Sequence, residues 1–144
     1  MAKQENNKKN REGRPLLWEN PEELQKKIDE YFDSCLRPLI NTKTNEIVKD
    51  AKGNEIMQQF RPFTISGLAL ALDTSRQTLI NYQERDEFFD TIMRAKRKCE
   101  NYTEEMLFHK DSANGAKFVL LNGYEKWKDK QEIELDVKKL FLDV

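Results

Sequence analysis

Along most of the chain, apolar positions recur at three- and four-residue spacing, the signature of helices with one buried face. The first such stretch opens at Asn20-Pro21-Glu22-Glu23: a capping side chain, a proline suited to the first helical position, and two anions at the positive end of the helix dipole. Leu24, Ile28, Tyr31, Phe32, Cys35 and Leu36 then mark its inner face, and Pro38 its end. Residues 39–60 lose this period. There Glu46-Ile47-Val48-Lys49 and Glu55-Ile56-Met57-Gln58 flank a turn-rich Asp50-Ala51-Lys52-Gly53-Asn54, which predicts a small β-hairpin. A lone hairpin is marginal in water, so it should lie against neighbouring helices or another chain.

The helical period returns at 65. A short apolar helix over 65–72 contains the small Ala69, where two helices would approach closely. Asp73-Thr74-Ser75 breaks it, and Ser75 is placed to cap a second helix from Arg76 to about Glu84. Leu79 and Tyr82 face inward there, which leaves Arg76, Gln77, Thr78, Ile80 and Asn81 on or near the outside. Two short helices, a three-residue break and a polar start to the second predict a helix-turn-helix. Such a helix offers its first residues to major-groove edges. Arginine bonds guanine, glutamine and asparagine bond adenine, and hydroxyls bond phosphate, so Ser75, Arg76, Gln77, Thr78 and Asn81 are candidate DNA contacts. Asp73 stands where a glycine is usual; it tolerates left-handed backbone less well than glycine but better than most residues.

From Asp86 the pattern lengthens. Phe88, Ile92, Ala95, Cys99, Tyr102 and Met106 are spaced 4, 3, 4, 3 and 4 apart, a coiled-coil seam. Phe89, Met93, Thr103 and Leu107 add a neighbouring line. Packing on the helix at 21–36 is one way to bury this surface; self-association is the preferred one, with Phe88, Ile92, Cys99, Tyr102 and Met106 at the contact. Asp111-Ser112 should cap a further short helix that stops at Asn122-Gly123, completing a helical hairpin. After Trp127, Gln131-Glu132-Ile133-Glu134-Leu135-Asp136-Val137 alternates strictly, which predicts one strand. A single strand needs a partner, and equivalent strands of neighbouring subunits would supply one through Ile133 and Leu135.

Charge changes this picture only when divided by segment. The chain has 25 Lys and Arg against 26 Asp and Glu, a net −1 that argues against a nucleic-acid binder. Residues 1–14 carry five cations and two anions, and read as a disordered basic tail. Residues 15–60 hold six cations against nine anions. Arg94, Lys96, Arg97 and Lys98 place four cations in five residues opposite one anion, Glu100, between 91 and 100. Such a run is usually a solvated face, but repeated around an oligomer it would form a basic belt for DNA backbone.

Candidate chemistry is sparse. Cys35, Cys99 and the one histidine, His109, give no metal-ligand set and no nucleophile with its base, and no glycine-rich phosphate loop is present. Neither an enzyme nor a cofactor is expected. No apolar run approaches the ~20 residues of a membrane span, and a reduced, cytoplasmic setting is expected.

Arg61-Pro62-Phe63-Thr64-Ile65-Ser66-Gly67-Leu68-Ala69, Ser75-Arg76-Gln77-Thr78-Leu79 and Tyr82-Gln83-Glu84-Arg85-Asp86-Glu87-Phe88 are followed by Asn114-Gly115-Ala116-Lys117-Phe118-Val119-Leu120. The most specific run, Trp127-Lys128-Asp129-Lys130-Gln131-Glu132-Ile133-Glu134, comes last. This order of parts resembles the small terminase subunit, the DNA-packaging protein of tailed bacteriophages. It implies a non-enzymatic ring oligomer in the host cytoplasm that binds double-stranded phage DNA near the packaging start and recruits and stimulates the large terminase subunit. The expected fold is mainly α. It comprises a tail (1–14), a helix-turn-helix DNA-binding domain with a small β-hairpin (15–86), a helical-hairpin oligomerisation region (87–123), and a C-terminal strand and partner-binding tail (124–144). A dimeric helix-turn-helix transcriptional regulator on a palindromic operator is the competing expectation.

Overall fold

The computed structural model describes residues 16–128, and the expected tail at 1–14 and strand at 131–137, with Ile133 and Leu135, lie outside them. Among the described residues the fold is mainly helical, with five helices and one two-stranded antiparallel sheet.

Helix α1 (Pro21–Ser34) starts where its capping signals place it: the Asn20 side chain accepts the Glu23 amide at 2.8 Å. Leu24, Ile28, Tyr31 and Phe32 are buried on one face. The helix stops earlier than the apolar spacing suggests. Leu36 is not its last inward residue but opens β1 (Leu36–Pro38), which pairs with β2 (Met57–Gln59) in the register Leu36 to Gln59. Pro38 contributes by driving Arg37, the residue before it, out of the helical region, so the helix cannot run on through this segment.

The expected hairpin is therefore present in a different form. Its tip forms as read: Asp50 accepts the amides of Lys52 and Asn54 at 2.9 Å each, Gly53 takes a left-handed φ of 83°, and Lys49 bridges Glu55. The Asn54 amide first, and the Lys52 amide with it, hold the Asp50 carboxyl below its ordinary range. The regular strand pairing lies further out, at 36–38 and 57–59. Between tip and strands, three segments meet in a closed ring of hydrogen bonds. Leu39 N–H donates to Ile56 O (2.7 Å), Ile56 N–H to Val48 O (3.0 Å), and Val48 N–H to Leu39 O (2.9 Å).

Helices α2 (Ile65–Ala71) and α3 (Arg76–Gln83) follow. Thr64 and Ser75 cap them, accepting the amides of Gly67 (2.9 Å) and Thr78 (3.1 Å). Between the helices Asp73 occupies the left-handed region at φ 52°, the conformation glycine would adopt at lower cost. Helix α4 (Asp86–Met106) is the centre of the molecule, packed by α1, α3 and α5 (Ala113–Gly123).

The core runs from Trp18 through Leu24, Ile28 and Phe32 of α1 to Leu68, Ala69, Leu79, Tyr82, Phe88, Ile92 and Cys99. Phe88, Ile92 and Cys99 are at most 1% exposed. The seam expected to join subunits is thus filled from within the chain, by α1, α3 and α5, and these three residues present no surface to a second copy. Tyr102 is half-buried beside Phe63, their ring centroids 5.8 Å apart, and half-buried Met106 lends its carbonyl to the Ser112 hydroxyl at 2.8 Å. That bond changes the reading of Ser112: its side chain closes the α4–α5 loop and makes no cap bond to α5. Gly123 remains helical, and extended Tyr124 ends the helix.

Candidate nucleic-acid interface

Helix α3 is fixed from behind. Leu79 and Tyr82 are buried, and the Tyr82 ring is wedged between Trp18 (4.6 Å between centroids) and Phe88 (5.0 Å), both edge-on. The Tyr82 hydroxyl accepts the Leu17 amide at 2.7 Å, which satisfies its polar tip. With one side locked, the opposite side is presented to solvent: Ser75, Arg76, Gln77, Ile80 and Asn81 are exposed, and Thr78 is half-exposed.

Those side chains do not act singly. Gln77 Nε2 donates to Asn81 Oδ1 at 3.0 Å, one turn apart, so the two amides form one hydrogen-bonding edge. Ser75 Oγ and Thr78 Oγ1 lie 3.0 Å apart at the cap. Arg76 points a different way, towards α4.

The four cations of α4 disperse rather than form a belt. Successive helical residues are turned by about 100°, so four cations in five positions cannot share a face. Arg94 faces α1, where its Nη2 donates to Gln25 Oε1 at 3.4 Å beside a hollow lined by Glu22, Asp29, Glu30 and Asp33. Lys98 lies over the rings of Phe32 (4.4 Å) and Phe63 (5.5 Å), a cation–π position that serves packing. Lys96 and Arg97 turn towards α3, and Lys96 Nζ donates to Gln83 Oε1 at 3.0 Å.

The outcome is a groove of about 520 Å³ between α3, α4 and the end of α5. Arg76, Lys96, Arg97 and Lys126 supply cations, Glu100 and Glu125 anions, and Ile65, Leu79, Ile80 and Met93 an apolar part. Two of the four belt residues thus join a residue of α3, and two do not. Gln83, Tyr124 and Lys126 join the site without any local sequence signal: only the packing of α5 on α4 brings 124–126 beside 76. Burial pushes the Tyr124 phenol up to about 12, Cys99 and Glu100 add to this, and Arg76 opposes it. Trp127 Nε1 donates to Glu100 Oε1 at 2.8 Å and ties the end of the described chain to α4.

Among the described residues no group of three or more His, Cys, Asp or Glu is arranged to hold a metal, and no helix is long and apolar enough to cross a membrane. No curated protein matches the sequence. The family model described as DNA-packaging protein gp3 matches residues 13–133, which spans both the α2–α3 pair and the α4–α5 hairpin, and the chain belongs to that family.

Proposed function

We propose that the chain is a non-enzymatic phage DNA-packaging protein of the small-terminase type. In this reading α2 and α3 form a helix-turn-helix that binds double-stranded DNA near the packaging start, and the protein acts in the host cytoplasm as a ring that recruits and stimulates the large terminase subunit. The observation that carries it is the pairing of the family match with the exposed Gln77–Asn81 edge on a helix locked from behind. Gln77 and Asn81 reach base edges, while Ser75, Thr78 and the cations Arg76, Lys96 and Arg97 take phosphates.

Multiplicity follows from charge. Residues 61–85 hold three cations and two anions, too little for one copy to grip DNA, because phosphate contacts supply much of such affinity. Since Phe88, Ile92 and Cys99 are internal, the surface that supports self-association is the outer side of the hairpin, where Phe108 (84% exposed), Phe118 (69%) and Val119 (47%) are uncovered.

Native mass spectrometry at micromolar concentration, together with the ATPase rate of the large subunit, tests this reading. A closed oligomer larger than a dimer that raises that rate is the expected result. A monomer or dimer that leaves the rate unchanged would reject it.

A further inference from the structure

The groove between α3 and α4 is amphipathic, and that narrows what it suits. A phosphodiester backbone would use Arg76, Lys96, Arg97 and Lys126 but has nothing to place on Ile65, Leu79, Ile80 and Met93. A peptide that alternates acidic and apolar side chains uses both. The chain carries such a peptide: Glu132-Ile133-Glu134-Leu135-Asp136-Val137 has three carboxylates interleaved with three apolar residues.

Its position along the chain matches. Tyr124, Glu125 and Lys126 already line the groove, and the indole of Trp127 is bound to Glu100 of α4 at 2.8 Å. Residue 132 therefore begins within a few residues of the groove, and each extended residue spans ~3.3 Å. A tether this short gives an effective concentration on the order of millimolar, so even weak complementarity fills the site.

We propose that residues 132–137 dock in cis in this groove, with Glu132, Glu134 and Asp136 towards the cations and Ile133, Leu135 and Val137 towards the apolar part. Docking in cis stands apart from the DNA reading.

Carbodiimide cross-linking of the full chain, without DNA, tests the docking alone; it joins a lysine amine to a carboxylate in contact with it. An equal mixture of ¹⁴N- and ¹⁵N-labelled chains separates cis from trans. The expected products join Lys96 or Lys126 to Glu132, Glu134 or Asp136 within one isotope. In the charge-preserving variant Ile133→Ser with Leu135→Ser their yield should fall roughly fivefold or more, because both apolar anchors are lost. Hybrid-isotope products would place the segment on a neighbouring subunit and overturn the proposal. Absence of groove products would overturn it too, as would an unchanged yield in the variant, which would reflect tethering alone.

Discussion

The Tyr31 hydroxyl both donates to the Thr64 carbonyl and accepts the Thr64 amide, at 3.1 Å in each direction. One side chain of α1 thereby holds the N-terminus of α2, and with it the orientation of α3. Gly67 permits the contact: a Cβ there would lie 2.6 Å from the Tyr31 oxygen and 2.8 Å from Thr64 Oγ1. Tyr31→Phe should therefore cost about 0.5–1.5 kcal/mol in urea unfolding, since two part-buried hydrogen bonds are lost. Gly67→Ala should destabilise despite alanine's better helix propensity, and by less in the Tyr31→Phe background, where the nearest clashing atom is gone. Equal costs in both backgrounds would show that the hydroxyl does not set the requirement for glycine.

How much of this was legible in the sequence depends on whether the signal was local. Asn20 and Ser75 fix helix starts through contacts three residues away, and the α1 and α3 starts are where these caps place them. The 4-3-4 spacing of Phe88, Ile92, Ala95 and Cys99 likewise revealed a buried line. It could not say whether α1 or another subunit covers that line, because spacing encodes that a face is apolar and not what meets it. Trp18, 2% exposed, carries no periodic signal, because it precedes the first periodic stretch and is buried by Tyr82, 64 positions later. The strand pairing at 36–38 and 57–59 is made by backbone groups, which leave no side-chain pattern. The groove is the extreme case: Arg76, Arg97 and Lys126 meet through tertiary packing alone.

Asp73 offers a test of the turn. At φ 52° a non-glycine residue carries on the order of 1–2 kcal/mol of strain, part of which glycine returns to the unfolded state as entropy. Asp73→Gly should raise the thermal midpoint by a few degrees, equivalent to a gain of up to about 1 kcal/mol. It should also strengthen DNA binding slightly by removing an anion beside α3, whereas Asp73→Val should lower stability. A destabilised glycine variant would mean that the aspartate side chain holds the turn.

The divergence of the α4 cations separates two outcomes that a uniform belt would merge. Arg97→Ala should weaken DNA binding across sequences and reduce the salt dependence by about one phosphate contact. Lys98→Ala should leave that slope unchanged and instead cost about 0.5–1 kcal/mol of stability, through its position over Phe32 and Phe63. Arg76→Ala with Gln77→Ala should weaken binding while the oligomer mass is preserved. Titration of anisotropy against salt distinguishes these cases, and equal slopes for the Arg97 and Lys98 variants would restore the belt.

Alkaline pH should loosen the fold from its centre. Burial pushes the Cys99 thiol from its ordinary 9.0 up to about 12, with Cys35 adding to the shift and Lys98 opposing it. The folded chain therefore keeps a proton that the unfolded chain releases, and stability present below pH 9 is lost as pH rises towards 12. Once the unfolded thiol has ionised, this group alone removes up to about 1.4 kcal/mol per pH unit. Tyr124, half-buried and raised from 10.0 to about 12, steepens the loss above pH 10. Urea midpoints should thus be flat to about pH 9 and then fall. Cys99→Ala should be less stable at pH 7, because a fully buried sulfur is replaced by a smaller group, yet show a shallower decline above pH 9. Parallel curves for the two proteins would place the alkaline sensitivity elsewhere than at this thiol.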